Sequence, residues 1–189
     1  ALAAPATLGL AAARLAAQAR TLAHAAAVDP LTGLFNRRYF ETRLDEEIQR
    51  SRRYGVDLAL LVIDVDDFKR LNDALGHLMG DRVLRAMADT LRRSVRAFDV
   101  CTRFGGEEFA ILMPGSRAAA AVQSAERIRE RVEAYRFDSL PVPAELRPTI
   151  SIGVAVLSGS DAMQDLVARA DRALYQAKAE GKNRVKLAE

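Results

Sequence analysis

The segment LALLVIDV, residues 58–65, most constrains the fold of this chain of 189 residues. Its residues are apolar almost without interruption, and a short run of this kind is typical of a central strand that is covered on both faces. Carboxylates stand at its end and just beyond it, at Asp64, Asp66 and Asp67. The chain therefore needs a sheet between two layers, with acidic groups at one end of its central strand.

Helical and strand patterns alternate along the rest of the chain. A helix following DPLTGLFNRRYF is expected to bury Phe40, Leu44 and Ile48 on one face. The segment TISIGVAVL alternates as a strand and is expected to direct its larger apolar residues to one side. Further helices are predicted from about residue 81, over 117–135 and over 162–179, and further strands at 99–103, 107–112 and 184–187. This order predicts an α+β fold, with helices against a mostly antiparallel central sheet.

Residues 1–27 differ in composition from the rest and are dominated by alanine, so we place a domain boundary at Val28. Apolar residues at alternating spacings of four and three form a heptad seam in this N-terminal helix. The segment is predicted either to form a parallel coiled coil or to pack on its own domain. Because the sequence begins with alanine, we expect a fragment that lacks an upstream sensor region. Attachment of the protein to a membrane through that region is left open.

The composition limits the kinds of ligand that the protein is expected to bind and the cellular compartment that suits it. The formal net charge of +3 is small for a chain of this length, so no nucleic-acid partner is expected, and anionic small ligands are mildly favoured. The single cysteine, Cys101, excludes an internal disulfide and suits a reducing cytoplasm. Within a predicted strand, Cys101 is interpreted as a packed apolar residue and not as a nucleophile.

Asp64 and Glu107 are the carboxylates with the clearest chemical implication. If the strands that carry them are neighbours, both side chains meet at one end of the sheet. Hard oxygen ligands of this kind suit Mg²⁺, which completes its shell with water and phosphate oxygens, and this implies nucleotide chemistry. The alternative is structural, with Asp66 and Asp67 capping a helix and Glu107 and Glu108 as solvated turn residues.

Gly105 and Gly106 stand beside these carboxylates. Glycine permits positive φ and removes the side chain, so a nucleoside could approach the backbone here. The alternative is that both residues serve only a tight hairpin turn.

Several motifs together resemble one known family. GGEEF, residues 105–109, is similar to the signature of the GGDEF family, the diguanylate cyclases. DPLTGLFNRRYF, IDVDDFKRLND, LGHLMGD and YQAKAEGKNRV resemble further segments of that family, in the same order, and together they cover nearly all of residues 28–189. The resemblance implies a catalytic domain over 28–189 with a fold like the palm of class III nucleotide cyclases and polymerases.

The resemblance also implies an activity and a metal site. Diguanylate cyclases condense two GTP molecules into cyclic di-GMP and release two pyrophosphates. Carried onto this chain, Asp64, Glu107 and the backbone carbonyl of Val65 hold two Mg²⁺ ions, with Mn²⁺ as the alternative metal. Glu107 is also the catalytic acceptor of the 3′-hydroxyl proton, and Glu108 is a supporting residue.

Substrate contacts follow from the same resemblance. Asn72 and Asp81 match the guanine-binding positions. Asp81 is also interpreted as the N-cap of a helix. His77 matches a position that lines the substrate site, and its alternative is a packed or capping residue. Gly105, Gly106 and Phe68 complete the substrate set, although Phe68 also suits the core. Three lysines match phosphate-contacting positions, namely Lys69, Lys178 and Lys182, and Lys178 equally suits the last turn of a helix.

Arg96 and Asp99 form an RxxD sequence ahead of Gly105, where the family places a product-inhibition site. Arg127 is a second candidate contact for cyclic di-GMP there, and the structural alternative is a helix-end ion pair. Because each protomer of the family binds one GTP, the resemblance implies a homodimer. The rival function is a catalytically silent domain that senses GTP or cyclic di-GMP.

Overall fold

The apolar segment of residues 58–65 forms the centre of a six-stranded sheet. The structure, a computed structural model, describes residues 26–135, 142–159 and 161–189. Strand β2, Leu58–Val65, is buried at all eight of its positions. The other strands are β1 (Phe35–Asn36), β3 (Val100–Gly105), β4 (Glu108–Pro114), β5 (Ile150–Val156) and β6 (Val185–Leu187).

The strand order is β1-β3-β4-β2-β5-β6. The central pairs β3–β4, β4–β2 and β2–β5 are antiparallel, whereas β1 and β6 join the two edges in parallel. The predicted mostly antiparallel sheet is therefore confirmed. The sequence analysis did not identify β1, whose two residues are too few to show a strand pattern.

Helices cover both faces of the sheet, as predicted for the α+β class. They are α1 (Arg37–Tyr54), α2 (Phe68–Leu75), α3 (His77–Ser94), α4 (Ala118–Glu133) and α5 (Met163–Ala179). One core joins α2, α3 and α4 to residues such as Leu61 and Ile63 of β2, and the other joins α1 and α5 to Leu60 and Val62. Successive side chains of β2 thus enter opposite cores, which explains its uninterrupted apolar sequence.

Helix α1 shows the expected start and stop chemistry. Asn36 accepts a hydrogen bond from the backbone N–H of Tyr39 at 3.0 Å, and Gly55 ends the helix at φ 64°. Phe40, Leu44 and Ile48 are buried on its inner face, as the spacing predicted.

Strand β5 differs from its predicted alternation. Ile150, Ile152 and Val154 are buried, but so are Ser151 and Gly153, because α5 packs on the opposite face. A β-carbon added to Gly153 would lie 2.1 Å from the carbonyl oxygen of Ala170 in α5. The glycine therefore permits the close contact between α5 and the sheet.

Two predicted boundaries were wrong. Helix α3 begins at His77 and not near residue 81, since its N-cap, Gly76, makes no side-chain capping bond that a sequence pattern could reveal. Asp81 consequently lies within the helix and is not its N-cap. Strand β4 begins at Glu108, so Glu107 belongs to the turn of the hairpin and does not begin a strand.

The predicted N-terminal helix and its heptad seam lie outside the described residues except for positions 26 and 27. At that entry, Asn36 donates from its side chain to the carbonyl oxygen of Ala26 at 2.8 Å, and Val28 forms an antiparallel bridge with Phe35. Among the helices that the structure describes, none has the length and apolar character needed to span a membrane.

Candidate active site

Asp64 and Glu107 meet at one end of the central strands. Asp64 is the next-to-last residue of β2 and pairs with Glu108 across the β2–β4 ladder. The backbone N–H of Val65 donates to the carbonyl oxygen of Glu107 at 3.3 Å. The Glu107 side chain is partly buried in the turn and Glu108 is exposed. The end of β2 and the β3–β4 hairpin, which are far apart in sequence, thus bring the backbones of these three acidic residues together.

Asp64 is held in an electrostatically unfavourable position. It is 7% exposed, and burial raises the pKa of its carboxyl group, with the negative charges of Glu107 and Glu108 acting in the same direction. The Lys178 ammonium lies 2.9 Å from Asp64 Oδ1 and partly offsets this increase in pKa. The site therefore concentrates negative charge that a cation can stabilise.

Lys178 lies in the last turn of α5, as its sequence position suggested, but its ammonium group points to Asp64. Lys182 follows in the next loop and donates to Asp67 Oδ1 at 2.5 Å. Lys69 is exposed on the first turn of α2. The three lysines predicted to contact phosphate therefore lie on α2, on α5 and in the loop after α5, and two of them are paired with acidic residues at or just beyond the end of β2.

The capping interpretation of Asp66 and Asp67 is wrong. Asp67 precedes α2 at φ 55°, but its side chain makes no capping bond. Asp66 is 6% exposed and accepts hydrogen bonds from Thr149 Oγ1 and Ser151 Oγ, both at 2.7 Å, and from the backbone N–H of Asn183. Its carboxylate is thus fully engaged in structure.

The two glycines of the hairpin border open space. A β-carbon added to Gly105 or Gly106 meets nothing within 4 Å. Only Gly106 uses a positive φ, +48°, and a bulge interrupts the β3–β4 register between Arg103 and Gly105. The turn therefore needs one of the glycines for its conformation, while both leave room for a bulky ligand.

Arg103 and Asp29 stabilise this hairpin, and no role was predicted for either residue from the sequence. Arg103 donates to the carbonyl oxygen of Gly106 at 2.9 and 2.7 Å and to both carboxylate oxygens of Asp29 at 3.2 Å. Burial acts to raise the pKa of Asp29, but hydrogen bonds from Thr32 and the charge of Arg103 outweigh it, so the pKa is lowered. The sequence did contain one signal for this role, because Arg103 is a charged residue in a predicted strand, close to two consecutive glycines.

The predicted guanine-binding residues lie around the junction of α2 and α3. Phe68 is buried at 7% exposure and joins the core, as expected. Asn72 Oδ1 is buried without a hydrogen-bond partner among the described residues, and a β-carbon on Gly80 would lie 1.9 Å from it. Asp81 is partly exposed in the second turn of α3.

His77 is exposed at the first position of α3, so its alternative interpretation as a packed or capping residue is wrong. Its side chain is free to meet a ligand beside Asn72 and Asp81.

The oxygen donors of the site fit Mg²⁺ in chemical type. Within the described ranges, no three His, Cys, Asp or Glu side chains form a group that could hold a metal ion by themselves. Asp64 and Glu107 supply two carboxylates, and Mg²⁺ commonly takes one or two and fills its remaining positions with water and substrate phosphates. The donor set thus suits a metal that arrives together with a nucleotide.

The RxxD sequence forms a loop after α3. Asp99 is 8% exposed, and its Oδ2 accepts from the backbone N–H of Arg96 at 2.8 Å, so the two residues do not form the helix-end ion pair considered as the alternative. Burial raises the pKa of Asp99, although the hydrogen bond and the charge of Arg96 oppose this. The exposed Arg96 guanidinium lies 5.7 Å from the Phe98 ring centroid.

An open cavity of about 630 Å³ is lined by Arg96, Phe98 and Asp99 of this loop. Arg43 and Arg50 of α1 line the same cavity. Arg127 is exposed on α4 and donates to Ser124 Oγ at 2.8 Å. No contact among the described residues joins Arg127 to Arg96 or Asp99.

Cys101 lies in β3 at 6% exposure, where burial raises the pKa of its thiol to about 12. The thiol therefore stays protonated at neutral pH, which agrees with its predicted role as a packed residue.

Comparisons with known proteins identify the family of this chain. The sequence model of the family described as "Diguanylate cyclase, GGDEF domain" matches residues 26–184. The chain is 44% identical over 163 residues to diguanylate cyclase DgcP of Pseudomonas aeruginosa, with 86% of this chain and 24% of that protein covered. It is 45% identical over 161 residues to response regulator PleD of Caulobacter vibrioides, with 85% of this chain and 36% of that protein covered. The chain thus spans roughly a quarter to a third of these relatives.

A solved structure of the coiled coil and GGDEF domain of DgcB from Caulobacter crescentus, in complex with c-di-GMP, superposes with a TM-score of 0.88 at 31% identity. The superposition covers 97% of this chain and 96% of that one. The extent of the family match and the identity to these relatives lead to one conclusion: the chain belongs to the GGDEF-domain family of diguanylate cyclases.

Proposed function

We propose that this domain is a diguanylate cyclase, which condenses two GTP molecules into cyclic di-GMP and two pyrophosphates. The convergence of Asp64 and Glu107 beside the open hairpin of Gly105 and Gly106 carries the proposal. Carboxylates for a metal and space for a nucleoside are combined at one end of the sheet. The diguanylate cyclase named among the relatives supports the same activity.

The reaction consists of two phosphoryl-transfer steps. In each, the 3′-hydroxyl oxygen of one GTP bonds to the α-phosphorus of the other, the bond from that phosphorus to the bridging oxygen of the β-phosphate breaks, and pyrophosphate leaves. Glu107, partly buried in the turn, accepts the hydroxyl proton. Glu108 is exposed on β4 and supports the site from outside.

Asp64, Glu107 and the carbonyl group of Val65 would hold two Mg²⁺ ions, or Mn²⁺ in their place. When bound, the ions neutralise the triphosphate and stabilise the pyrophosphate as it leaves. The raised pKa of Asp64 fits this assignment, since a nearby cation favours its ionised form.

Asn72 and Asp81 would select guanine. A carboxylate at Asp81 accepts from the N1–H and N2 amino groups of guanine together, a donor pair that adenine lacks. Asn72 offers a buried oxygen that has no partner among the described residues. His77 lines the same site from the start of α3, and Phe68 supports it from the core.

Lys69, Lys178 and Lys182 would bind the phosphates. Lysine carries a compact charge on a flexible stem, which suits a triphosphate of varying geometry. Lys178 and Lys182 pair with Asp64 and Asp67 in this structure. Both ammonium groups therefore already stand at the edge of the proposed metal site.

Two copies of the chain are required, because each domain would bind one GTP. Residues 1–27 would form a coiled coil that joins an upstream sensor to the catalytic domain over 28–189. The coiled coil would align the catalytic domains of the two copies so that their bound GTP molecules face each other. The DgcB structure, which combines a coiled coil with a GGDEF domain, supports this arrangement. We place the catalytic domain in the cytoplasm, where its substrate GTP is found.

The RxxD loop would bind the product and inhibit the enzyme. Arg96 is exposed and its guanidinium suits both phosphate and guanine. Asp99 holds the Arg96 backbone in place, and Arg127 would add a second contact from α4. The DgcB complex with c-di-GMP supports binding of the product by a related domain.

The direct test is incubation of the full chain with GTP and Mg²⁺, followed by chromatographic detection of cyclic di-GMP. We expect product from the unaltered protein and none from Glu107→Gln, whose partly buried turn position should tolerate the isosteric change without loss of folding. Absence of product at high protein concentration, with GTP binding intact, would instead support a silent sensor domain.

A further inference from the structure

The loop that carries Lys182 has an unusual backbone. Gly181, Lys182 and Asn183 follow one another at φ values of +117°, +62° and +46°. Residues with a side chain rarely adopt this left-handed region, and two such residues in succession need support from their surroundings. The conformation therefore has to be held from outside the loop.

Asn183 supplies that support on both its backbone and its side chain. Its backbone N–H donates to Asp66 Oδ2 at 3.0 Å. Its side-chain amide donates to Glu133 Oε1 at 2.8 Å and accepts from Arg129 Nη1 at 3.1 Å. The loop is thus fastened to the end of β2 on one side and to α4 on the other.

Both anchors of Asn183 are themselves fixed. The Asp66 carboxylate is buried and also bound by the hydroxyl groups of Thr149 and Ser151. Arg129, 15% exposed in its side chain, pairs with Glu126 at 2.7 Å and with Glu133 at 2.8 Å. Asn183 therefore closes a chain of hydrogen bonds that runs from the sheet to α4.

Lys182 is the residue that this chain of bonds places. Its backbone N–H donates to the carbonyl oxygen of Ala177 at 3.0 Å, and its ammonium group reaches Asp67. A change in the φ of the neighbouring Asn183 would swing the stem of Lys182 away from the acidic end of β2.

We propose that Asn183 is a positioning residue that sets the affinity of the site for the outer phosphates of its nucleotide, through Lys182 and without acting on guanine. The proposal rests on the proposed function, in which Lys182 contacts phosphate. It assigns to Asp66, Arg129 and Glu133 the role of holding Asn183 in its left-handed conformation.

The test compares two guanine nucleotides that differ in their outer phosphates. Guanosine 5′-(α,β-methylene)triphosphate cannot release pyrophosphate, so its binding is measured by calorimetry without turnover, and GMP serves as the ligand that lacks the β- and γ-phosphates. In Asn183→Gly, which keeps the left-handed backbone accessible but removes the side-chain bonds, we expect affinity for the triphosphate to fall about three- to tenfold. Affinity for GMP should stay within about twofold of the unaltered protein.

Two further variants separate positioning from general damage. Asp57→Asn breaks an exposed ion pair with Arg117 that has no part in this chain of hydrogen bonds, so it should bind both nucleotides as the unaltered protein does. In a Lys182→Ala background, Asn183→Gly should cause no additional loss of triphosphate affinity, because the two residues act in series.

Exchanging the donor and the acceptor in the hydrogen bond between Asn183 and Glu133 tests whether triphosphate affinity can be restored. Asn183→Asp places a carboxylate against Glu133 and should weaken triphosphate binding, whereas adding Glu133→Gln restores a donor and should recover it. Parallel loss of triphosphate and GMP affinity, unchanged affinity in Asn183→Gly, or additive losses with Lys182→Ala would each overturn the proposal. These binding measurements stand apart from the production of cyclic di-GMP, so a failure of the proposed enzyme activity would be recognised separately.

Discussion

Arg103 and Asp29, which stand 74 positions apart in the chain, form an ion pair whose guanidinium group also donates to the backbone carbonyl group of Gly106, at the tip of the β3–β4 hairpin. The side chains are 16% and 18% exposed, so water only partly screens the pair. The hairpin that presents Glu107 is thus fastened to the segment through which the chain enters the domain.

We expect Asp29→Asn to reduce both stability and turnover. Loss of the charged partner of Arg103 should lower the free energy of unfolding by about 1–2 kcal/mol at neutral pH, and a looser hairpin should lower kcat more than it raises KM. Chemical denaturation and steady-state kinetics measure the two effects. Asp57→Asn is the matched control, because its pair with Arg117 is exposed and far from the hairpin. Equal loss of stability in both variants would contradict the expectation.

The same pair predicts a dependence on pH. Because the pKa of Asp29 is lower in the folded protein than its ordinary value of 3.8, its contribution to stability is present above that value. It is lost as the pH falls from about 3.8 towards the folded pKa. The difference in unfolding free energy between the unaltered protein and Asp29→Asn should therefore shrink in acid below about pH 4.

Asp64→Asn should separate stability from activity. Burial raises the pKa of Asp64 above its ordinary value of 3.8, so folding favours the protonated form, and the carboxyl group increasingly destabilises the native state as the pH rises above 3.8. The variant should therefore unfold at the same temperature or a higher one at pH 7. Loss of a metal-binding carboxylate should lower kcat/KM by about a hundredfold or more.

Glu41→Gln is the control for Asp64→Asn, because Glu41 forms an exposed ion pair with Arg37 on α1 and has no part in the proposed site, so this variant should retain most of its activity. A marked fall in thermal stability of Asp64→Asn would show that the pair with Lys178 outweighs the cost of burial.

Arg96→Ala should relieve inhibition by cyclic di-GMP and leave the initial rate unchanged. Loss of a charged hydrogen-bond donor should raise the product concentration for half-inhibition about tenfold or more. Arg93→Ala removes another exposed arginine nearby and keeps the backbone carbonyl group that accepts from Arg131, so inhibition should persist. Unchanged inhibition in Arg96→Ala would argue against the RxxD loop as the product site.

Gly153→Ala should destabilise the fold through the contact of β5 with α5. The added β-carbon would lie 2.4 Å from the backbone nitrogen of Leu174 as well as close to Ala170, and neither backbone atom can move alone. We expect a loss of at least about 3 kcal/mol in unfolding free energy. Gly105→Ala, whose β-carbon would enter open space, should change it by less than about 0.5 kcal/mol.

The periodic parts of the fold were predictable because burial dictates them. The apolar segment of β2 and the inner face of α1 were both recognised, since each follows from the period of a strand or a helix. The start of α3 was not, because Gly76 at φ 80° begins the helix without a capping side chain. Burial of the second face of β5 was not predicted either, since no local pattern shows that α5 approaches Gly153.

The residues of the candidate site were predicted from motifs, but the contacts among them were not. The motifs identified Asp64, Glu107 and Lys178, whereas the pairing of Lys178 with Asp64 depends on how the end of α5 meets β2. The contacts of Arg103 and Asn183 were missed for a similar reason. Each acts through bonds to residues distant in sequence, and only the folded chain brings those partners together.

The two edges of the sheet are formed by β1, of two residues, and β6, of three. Such short edge strands expose little unpaired backbone for another chain to extend by hydrogen bonding. Extension of the sheet from one copy of the domain into another is therefore disfavoured at both of these edges. A concentrated solution of these domains should accordingly resist growth into continuous sheets.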